Sequence, residues 1–448
     1  MSKLVKTLTL PPQGRPLAET AMLHGEQKAE GPATKANPTM TLAAGIACIV
    51  LVAIDLRPGI VSVGPLLGQI RDEFGISNAQ ASLLTAIPNI LMGLLALPTP
   101  WLARRFGRDR VILAALAVLG ISTLLRAFVQ TTPQLLVTTA GVGAGIAVAG
   151  ALISGFVKAR FPRHVSLLMG LYAMSIGLGS TLAAAATASL SALGGGWRLG
   201  TGVWALPGLT AIAAWTVVSR SERTAEPAAA PETAGPRRHP AGSASAWLVA
   251  AYFATNNFLF FGFLSWIAPI YRELGATPAH AGLLLACFTM AFMFSNPLPA
   301  LLSKSEDRRW LIGLFASIAL AGLFATALAP TLMPLVTIPI VACGIGASFS
   351  LGMTLPLDNA SNHEEANAWT SFVLFIGYLL GALGPLALGL LRDRTGSFHA
   401  ALWALVATAA LMVSLAPFLS PTRRRVGVLR IGEAGTRRRT GTVGANPA

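Results

Sequence analysis

The sequence predicts an all-α polytopic membrane protein of about twelve transmembrane helices, and three observations lead there. Hydrophobic residues make up 54% of the chain and charged residues only 11%, against roughly 25% charged in an ordinary soluble domain. Apolar runs of about 20 residues recur along the whole length, the length at which a helix rising 1.5 Å per residue crosses a ~30 Å hydrocarbon core. Basic residues gather in the gaps between alternate runs, as the positive-inside rule requires.

The first observation excludes a soluble protein. With 33 Lys/Arg and 18 Asp/Glu in 448 residues, the chain cannot cover a water-facing surface. The net charge of +15 does not indicate nucleic-acid binding, because the basic residues form short clusters between apolar stretches and no continuous basic face. Cys48, Cys287 and Cys343 lie far apart inside apolar segments; they read as small core hydrophobes, with no disulfide framework and no metal cluster.

The expected spans are 41–66, 78–101, 110–129, 133–157, 164–187, 199–219, 246–270, 279–302, 309–329, 331–357, 366–390 and 400–420. Residues 1–40, polar and rich in Gly, Pro and Ala, lack a signal-peptide pattern. They read as a disordered cytoplasmic N-terminal tail, and 421–448 reads as a disordered cytoplasmic C-terminal tail. Placing both tails inside puts 26 of the 33 Lys/Arg on the inner side, which sets the orientation in a bacterial inner (plasma) membrane. The longest interruption, 220–245, divides the crossings into a six-helix bundle at 41–219 and a second at 246–420, joined by a cytoplasmic linker.

The two bundles resemble one another. EFGISNAQASLL at 73–84 matches ELGATPAHAGLL at 273–284, and each leads through a crossing to a proline and a polar loop, PWLARRFGRDR at 100–110 and PALLSKSEDRR at 299–309. A duplicated bundle is the architecture of carriers that alternate access by rocking two halves about a site near the midplane. The run GVGAGIAVAG at 141–150 reads as a packing face.

The sharpest local feature is AIDLRPGIVSVGPLLGQI at 53–70. Charges at membrane depth are costly, so Asp55 and Arg57 should face protein, partners or a water-filled cavity. Pro58 restricts the residues before it and should bend the helix there. Residues two apart do not share a helix face, which argues against an Asp55–Arg57 ion pair in an intact helix. Arg57, with planar donors that stay protonated, suits a small anion; a structural lock and an interfacial position are the other readings. Asp55 either pairs across the bundle or titrates as a proton-coupling carboxylate. Asn89, Tyr172, Asn256, Asn257, Trp266 and Tyr378 are the remaining candidates for a substrate-binding lining, although amides in such helices also bond one another or backbone carbonyls. Asp358 reads as a loop or cap residue. No nucleotide-binding glycine loop and no metal-ligand spacing appear, so no cofactor is expected and the chain does not read as an enzyme.

The paired organisation and the basic loop after the second helix resemble the major facilitator superfamily. Within it, DLRPGIVSVGPLLGQI at 55–70, SWIAPIYRELGATPAHAGLLL at 265–285 and GYLLGALGPLALGLLRDRTGSF at 377–398 are similar to the CynX/NimT family of cyanate and 2-nitroimidazole transporters. The resemblance implies twelve helices in two pseudo-symmetric six-helix bundles and secondary, ion-coupled transport of a small solute. In the gating loop, Arg105, Gly107 and Arg108 agree with the superfamily pattern. Arg104 stands where an aspartate is usual, so the acidic lock ascribed to that aspartate does not transfer. Asp55 replaces a usual asparagine, Asn256-Asn257 a glutamine-serine pair, and Phe261 a tyrosine. The expectation is a monomeric, proton-linked carrier of a small, anionic solute with Arg57 as anchor; the alternative is a proton-antiport exporter of small drugs or nitroimidazole-like compounds.

Overall fold

A computed structural model of the protein describes residues 42–161, 163–222, 240–303, 308–360 and 363–419. The expected tails at 1–40 and 421–448 and most of the expected linker at 220–245 lie outside the described residues. Twelve helices among them are long and apolar enough to cross a membrane. They are α1 (Leu42–Phe74), α2 (Asn78–Ala96), α3 (Arg108–Phe128), α4 (Thr132–Val157), α5 (Leu167–Ser191) and α6 (Gly196–Arg220) in the first half. In the second half they are α7 (Ala244–Glu273), α8 (Pro278–Leu302), α9 (Arg309–Leu328), α10 (Pro334–Asn359), α11 (Glu365–Thr395) and α12 (His399–Phe418).

The largest departure from the expected spans is α1, which continues to Phe74 as a broken helix. Regular helix stops at Asp55, resumes over Pro58–Val61, passes through a tight turn at Gly64–Leu66, and is regular again over Leu67–Phe74. Asp55 and Arg57 therefore stand in the middle of the helical run rather than near its end. The tenth span is one helix despite Pro339 and Pro356.

The internal repeat is visible in backbone geometry. Gly75 ends α1 at φ +63° and Gly275 follows the end of α7 at φ +90°, a region that favours glycine. Two residues later each chain caps its next helix in the same way: the Gln80 amide donates to the Ser77 hydroxyl at 3.1 Å, and the His280 amide donates to the Thr277 hydroxyl at 3.2 Å. These side-chain caps satisfy amides that a helix start leaves open.

The halves meet through α5 against α8 and α2 against α11, pairings that exchange under the pseudo-two-fold relation of the bundles. Small residues permit the approach. A Cβ on Gly282 would lie 2.8 Å from the Ala184 carbonyl, closer than real side chains approach, and one on Gly93 would lie 3.2 Å from the Phe375 carbonyl, a tight fit.

Three polar links among the described residues fasten the halves, one of them beside the Gly75 turn. Ser265 bonds Thr85 at 2.8 Å, and Thr181 bonds Thr289 at 3.0 Å. The Asp393 carboxylate at the end of α11 accepts from the Asn78 amide at 3.0 Å, the Asn78 side chain at 2.6 Å and the Ala79 amide at 2.8 Å. An acidic group from one half thus caps the positive end of a helix in the other.

Candidate functional site

The site grows from the break in α1. Pro58 has no amide to give to Ile54, four residues back, and Leu56 bonds only to Ala53 in a tight 3.3 Å turn. Arg57 is left at the start of the next helical piece, with both the Ile60 and Val61 amides donating to its carbonyl at 3.0 and 3.1 Å. Its side chain leaves the α1 axis towards the second half, where the guanidinium lies 5.9 Å from the centre of the Phe261 ring on α7.

The surroundings of that guanidinium are polar but not acidic. It is close enough to act electrostatically on the Tyr172 hydroxyl of α5 and the Tyr378 hydroxyl of α11. Arg57 makes no hydrogen bond or ion pair among the described residues, and its buried Nη1 has no acceptor. Arg57, Tyr172 and Tyr378 are each half-buried, so part of each surface stays open although all three belong to the middle of the molecule.

Tyr378 connects this group to the amides. Its ring stands 6.4 Å from Phe261 and 6.1 Å from Phe253. One turn along α11, the space a Cβ on Gly381 would occupy is bounded by Asn257 Cβ and by Asn89 Nδ2, the latter 3.4 Å away. Asn89 is wholly buried, and neither its Nδ2 nor its Oδ1 has a partner. Asn257 donates to the Phe253 carbonyl of its own helix at 2.9 Å, leaving its Oδ1 without a donor. Buried polar atoms without partners cost on the order of 1–3 kcal/mol each, so α1, α2 and α7 present unmet donors and acceptors beside Tyr378 of α11.

The remaining candidates lie elsewhere. Asn256 points into the second half, where its amide donates to the Ile345 carbonyl of α10 at 3.0 Å. Trp266 donates its ring N–H to the Pro385 carbonyl at 3.0 Å and packs on Phe398, an anchor between α7 and α11. Asp55 is buried with its carboxylate beside Gly208 of α6. It is not paired with Arg57, has no cation partner among the described residues, and leaves Oδ2 without a donor.

The loop between α2 and α3 lies at the end of the helices away from the Gly75 turn. Arg104 and Arg105 are exposed on a short helix, Thr99–Phe106, with Arg105 over Trp101 and Phe106 at 5.4 and 5.6 Å. Gly107 turns the chain at φ +86°, and Arg108 covers Phe156 of α4 at 5.1 Å with its Nε 3.6 Å from Asp109. The corresponding corner of the second half is an ion pair, Arg308 to Asp358 at 3.3 Å, where the sequence reading placed Asp358 as a loop or cap residue.

One functional candidate escaped the sequence reading. Arg126, at the end of α3, is 1% exposed and bonds the Gly59 carbonyl in the α1 break. In sequence it looks like a basic residue closing an apolar run; only its partner's location shows otherwise.

Comparisons with known proteins accord with this architecture. Residues 46–385 match the family model of the Major Facilitator Superfamily. The chain is 30% identical to the cyanate transport protein CynX of Escherichia coli (strain K12), covering 78% of this chain and 90% of that protein. It is 30% identical to the uncharacterized transporter YycB of Bacillus subtilis (strain 168), covering 81% and 90%. It is 29% identical to a 2-nitroimidazole transporter of Escherichia coli (strain K12), covering 82% and 93%. Among solved structures, the D-xylose-proton symporter superposes with a TM-score of 0.71 at 14% identity, over 85% of this chain and 98% of the other. A bacterial homolog of the human lysosomal transporter Spinster, inward-facing and occupied, gives 0.67 at 21%, over 84% and 95%. The chain belongs to the Major Facilitator Superfamily: it is a secondary transporter that moves a small solute by alternating access, and not an enzyme.

Proposed function

We propose that the protein carries a small anionic solute, that Arg57 is its anchor, and that it falls in the CynX/NimT group of the superfamily. The observation that carries this reading is the guanidinium itself. Taking a permanent cation wholly out of water costs on the order of several kcal/mol, part of which applies to a half-buried guanidinium, and an acid within the fold normally offsets that cost. Arg57 has none among the described residues, and its Nη1 is buried without an acceptor. The Tyr172 and Tyr378 hydroxyls near it, and the free amide of Asn89, add donors that would complete an oxyanion's shell. The similarity to a cyanate transport protein agrees with this chemistry.

Coupling to protons, in this reading, runs through Asp55, a buried carboxylate without a cation partner two residues from the anchor. Both termini face the cytoplasm of a bacterial inner membrane, because the basic Arg104, Arg105, Arg108 and Arg308 sit at the helix ends opposite the Gly75 and Gly275 turns. The protein works as a monomer. The decisive experiment is uptake of a panel of small anions into right-side-out and inside-out vesicles under an imposed pH gradient. Arg57→Lys, which keeps the charge but loses the planar fork, should lower apparent affinity by about tenfold. Unchanged rate and affinity for every transported anion would remove the anchor role.

A second reading, export of small drug-like or nitroimidazole-like compounds by proton antiport, is favoured by the aromatic surface of Phe253, Phe261 and Tyr378 and by the similarity to a 2-nitroimidazole transporter. Drug sensitivity of cells lacking the protein, beside cells carrying Asp55→Asn, separates it from the first. Identical sensitivity to every compound in all strains would count against it.

A further inference from the structure

We propose that Arg126 is a positioning residue for transport: it pins the broken segment of α1 through the Gly59 carbonyl and so fixes where Arg57 stands. The inference rests on the reading of Arg57 as the anchor. Its first support is the hydrogen-bond pattern of the break. In a continuous helix the Val63 amide would donate to Gly59, but here it donates to Ile60 at 3.3 Å, while Ser62 donates to Pro58 at 3.0 Å. The Gly59 carbonyl therefore needs another donor, and Nη1 of Arg126 supplies it across 67 residues of sequence.

The second support is how Arg126 is itself held. Its Nη2 donates at 3.1 Å to the Thr139 hydroxyl of α4. That hydroxyl donates in turn to the Leu135 carbonyl at 2.7 Å, which leaves its lone pairs turned to the guanidinium. Nε has no partner, and Arg126 makes no ion pair among the described residues. A buried guanidinium whose acceptors are a backbone carbonyl and one hydroxyl is an expensive way to join helices, since a neutral side chain could fill the space. Its distinguishing property is a rigid fork with donors aimed at two different helices at once. The third support is packing: a Cβ on Gly59 would lie 2.9 Å from Val142 Cγ1 of α4 and 3.5 Å from the Thr123 hydroxyl of α3. The broken segment is pressed into the groove between α3 and α4, with Arg126 closing one end, and Gly59 is two residues from Arg57.

The test reads the position of residue 57 without any solute. In a background with Cys48, Cys287 and Cys343 replaced by serine, Arg57→Cys is alkylated with a water-soluble cationic thiol reagent, and Thr395→Cys, exposed at the end of α11, serves as the control. Arg126→Met should change the rate at position 57 by about tenfold, as loss of a charged hydrogen bond allows, and leave the control rate within about twofold. Thr139→Val should move the rate in the same direction by about threefold, and Arg126→Lys, which retains one donor for the carbonyl, should fall between wild type and Arg126→Met. Unchanged rates at position 57 in the monodisperse variants overturn the proposal. Should Arg126→Met fail to fold, Arg126→Lys and Thr139→Val decide it on the same criterion. Failure of the anchor reading shows separately, as unaltered anion uptake by Arg57→Gln.

Discussion

The two helices that open the halves, α1 and α7, occupy equivalent places and solve the same problem differently. Each contains a proline and carries polar residues at mid-membrane depth. In α1, Pro58 stands with Gly59, the helix breaks, and the segment is held in place by Arg126 from α3. In α7, Pro269 lies within an unbroken helix running from Ala244 to Glu273, four residues before its end, where few bonds remain to be lost. The polar groups differ accordingly. Asn256 and Asn257 of α7 give their N–H groups to the Ile345 and Phe253 carbonyls, whereas Arg57 of α1 gives its donors to nothing among the described residues. The lesson is that proline alone does not create the site. In the proposed site the backbone is broken, fastened from a neighbouring helix, and left with a charge that the described residues do not pair.

Substitutions that close this difference should have the largest effects. Gly59→Val pushes side-chain atoms into Val142, a clash of the kind that costs about 1–3 kcal/mol; if the segment yields, transport should fall by about tenfold or more, measured as initial uptake rate at equal membrane expression. A smaller effect is expected in α7. Asn256→Leu removes the bond to the Ile345 carbonyl, which keeps its helical partner within α10; it should lower stability by about 0.5–1.5 kcal/mol, read as a lower Tm of the purified protein, with apparent affinity unchanged. Pro269→Ala should be smallest, within about 1 kcal/mol, because the helix is already continuous there; a large loss of transport would show that α7 also depends on its proline.

Much of this organisation is legible in the sequence, and the remainder is hidden for identifiable reasons. The twelve spans follow from hydropathy because lipid imposes the same demand on every crossing, and the repeat is legible because Gly75 and Gly275 need a left-handed backbone at matching places. Arg57 stands out as a charge in an apolar run. The direction of Asp55 was not legible: once the helix breaks between Asp55 and Pro58, the periodicity that relates neighbouring side chains no longer applies, and Asp55 turns to Gly208 while Arg57 turns to Phe261. Asn256 and Asn257 differ by one residue, about 100° around the helix, so only one of the pair joins Asn89 and the site. Arg126 resembles an interfacial side chain because it lies near the end of an apolar run. The link from Asp393 to Asn78 spans 315 residues of sequence, and no local pattern announces it.

A direct test is ligand-induced stabilisation of the purified protein, since a solute that binds the folded state raises Tm by mass action. Screening small anions, each at concentrations well above its transport half-saturation, should find at least one that raises the Tm of the wild type and leaves that of Arg57→Gln unmoved. A shift of equal size in both proteins would contradict the account, because the solute would then be held without the guanidinium of Arg57.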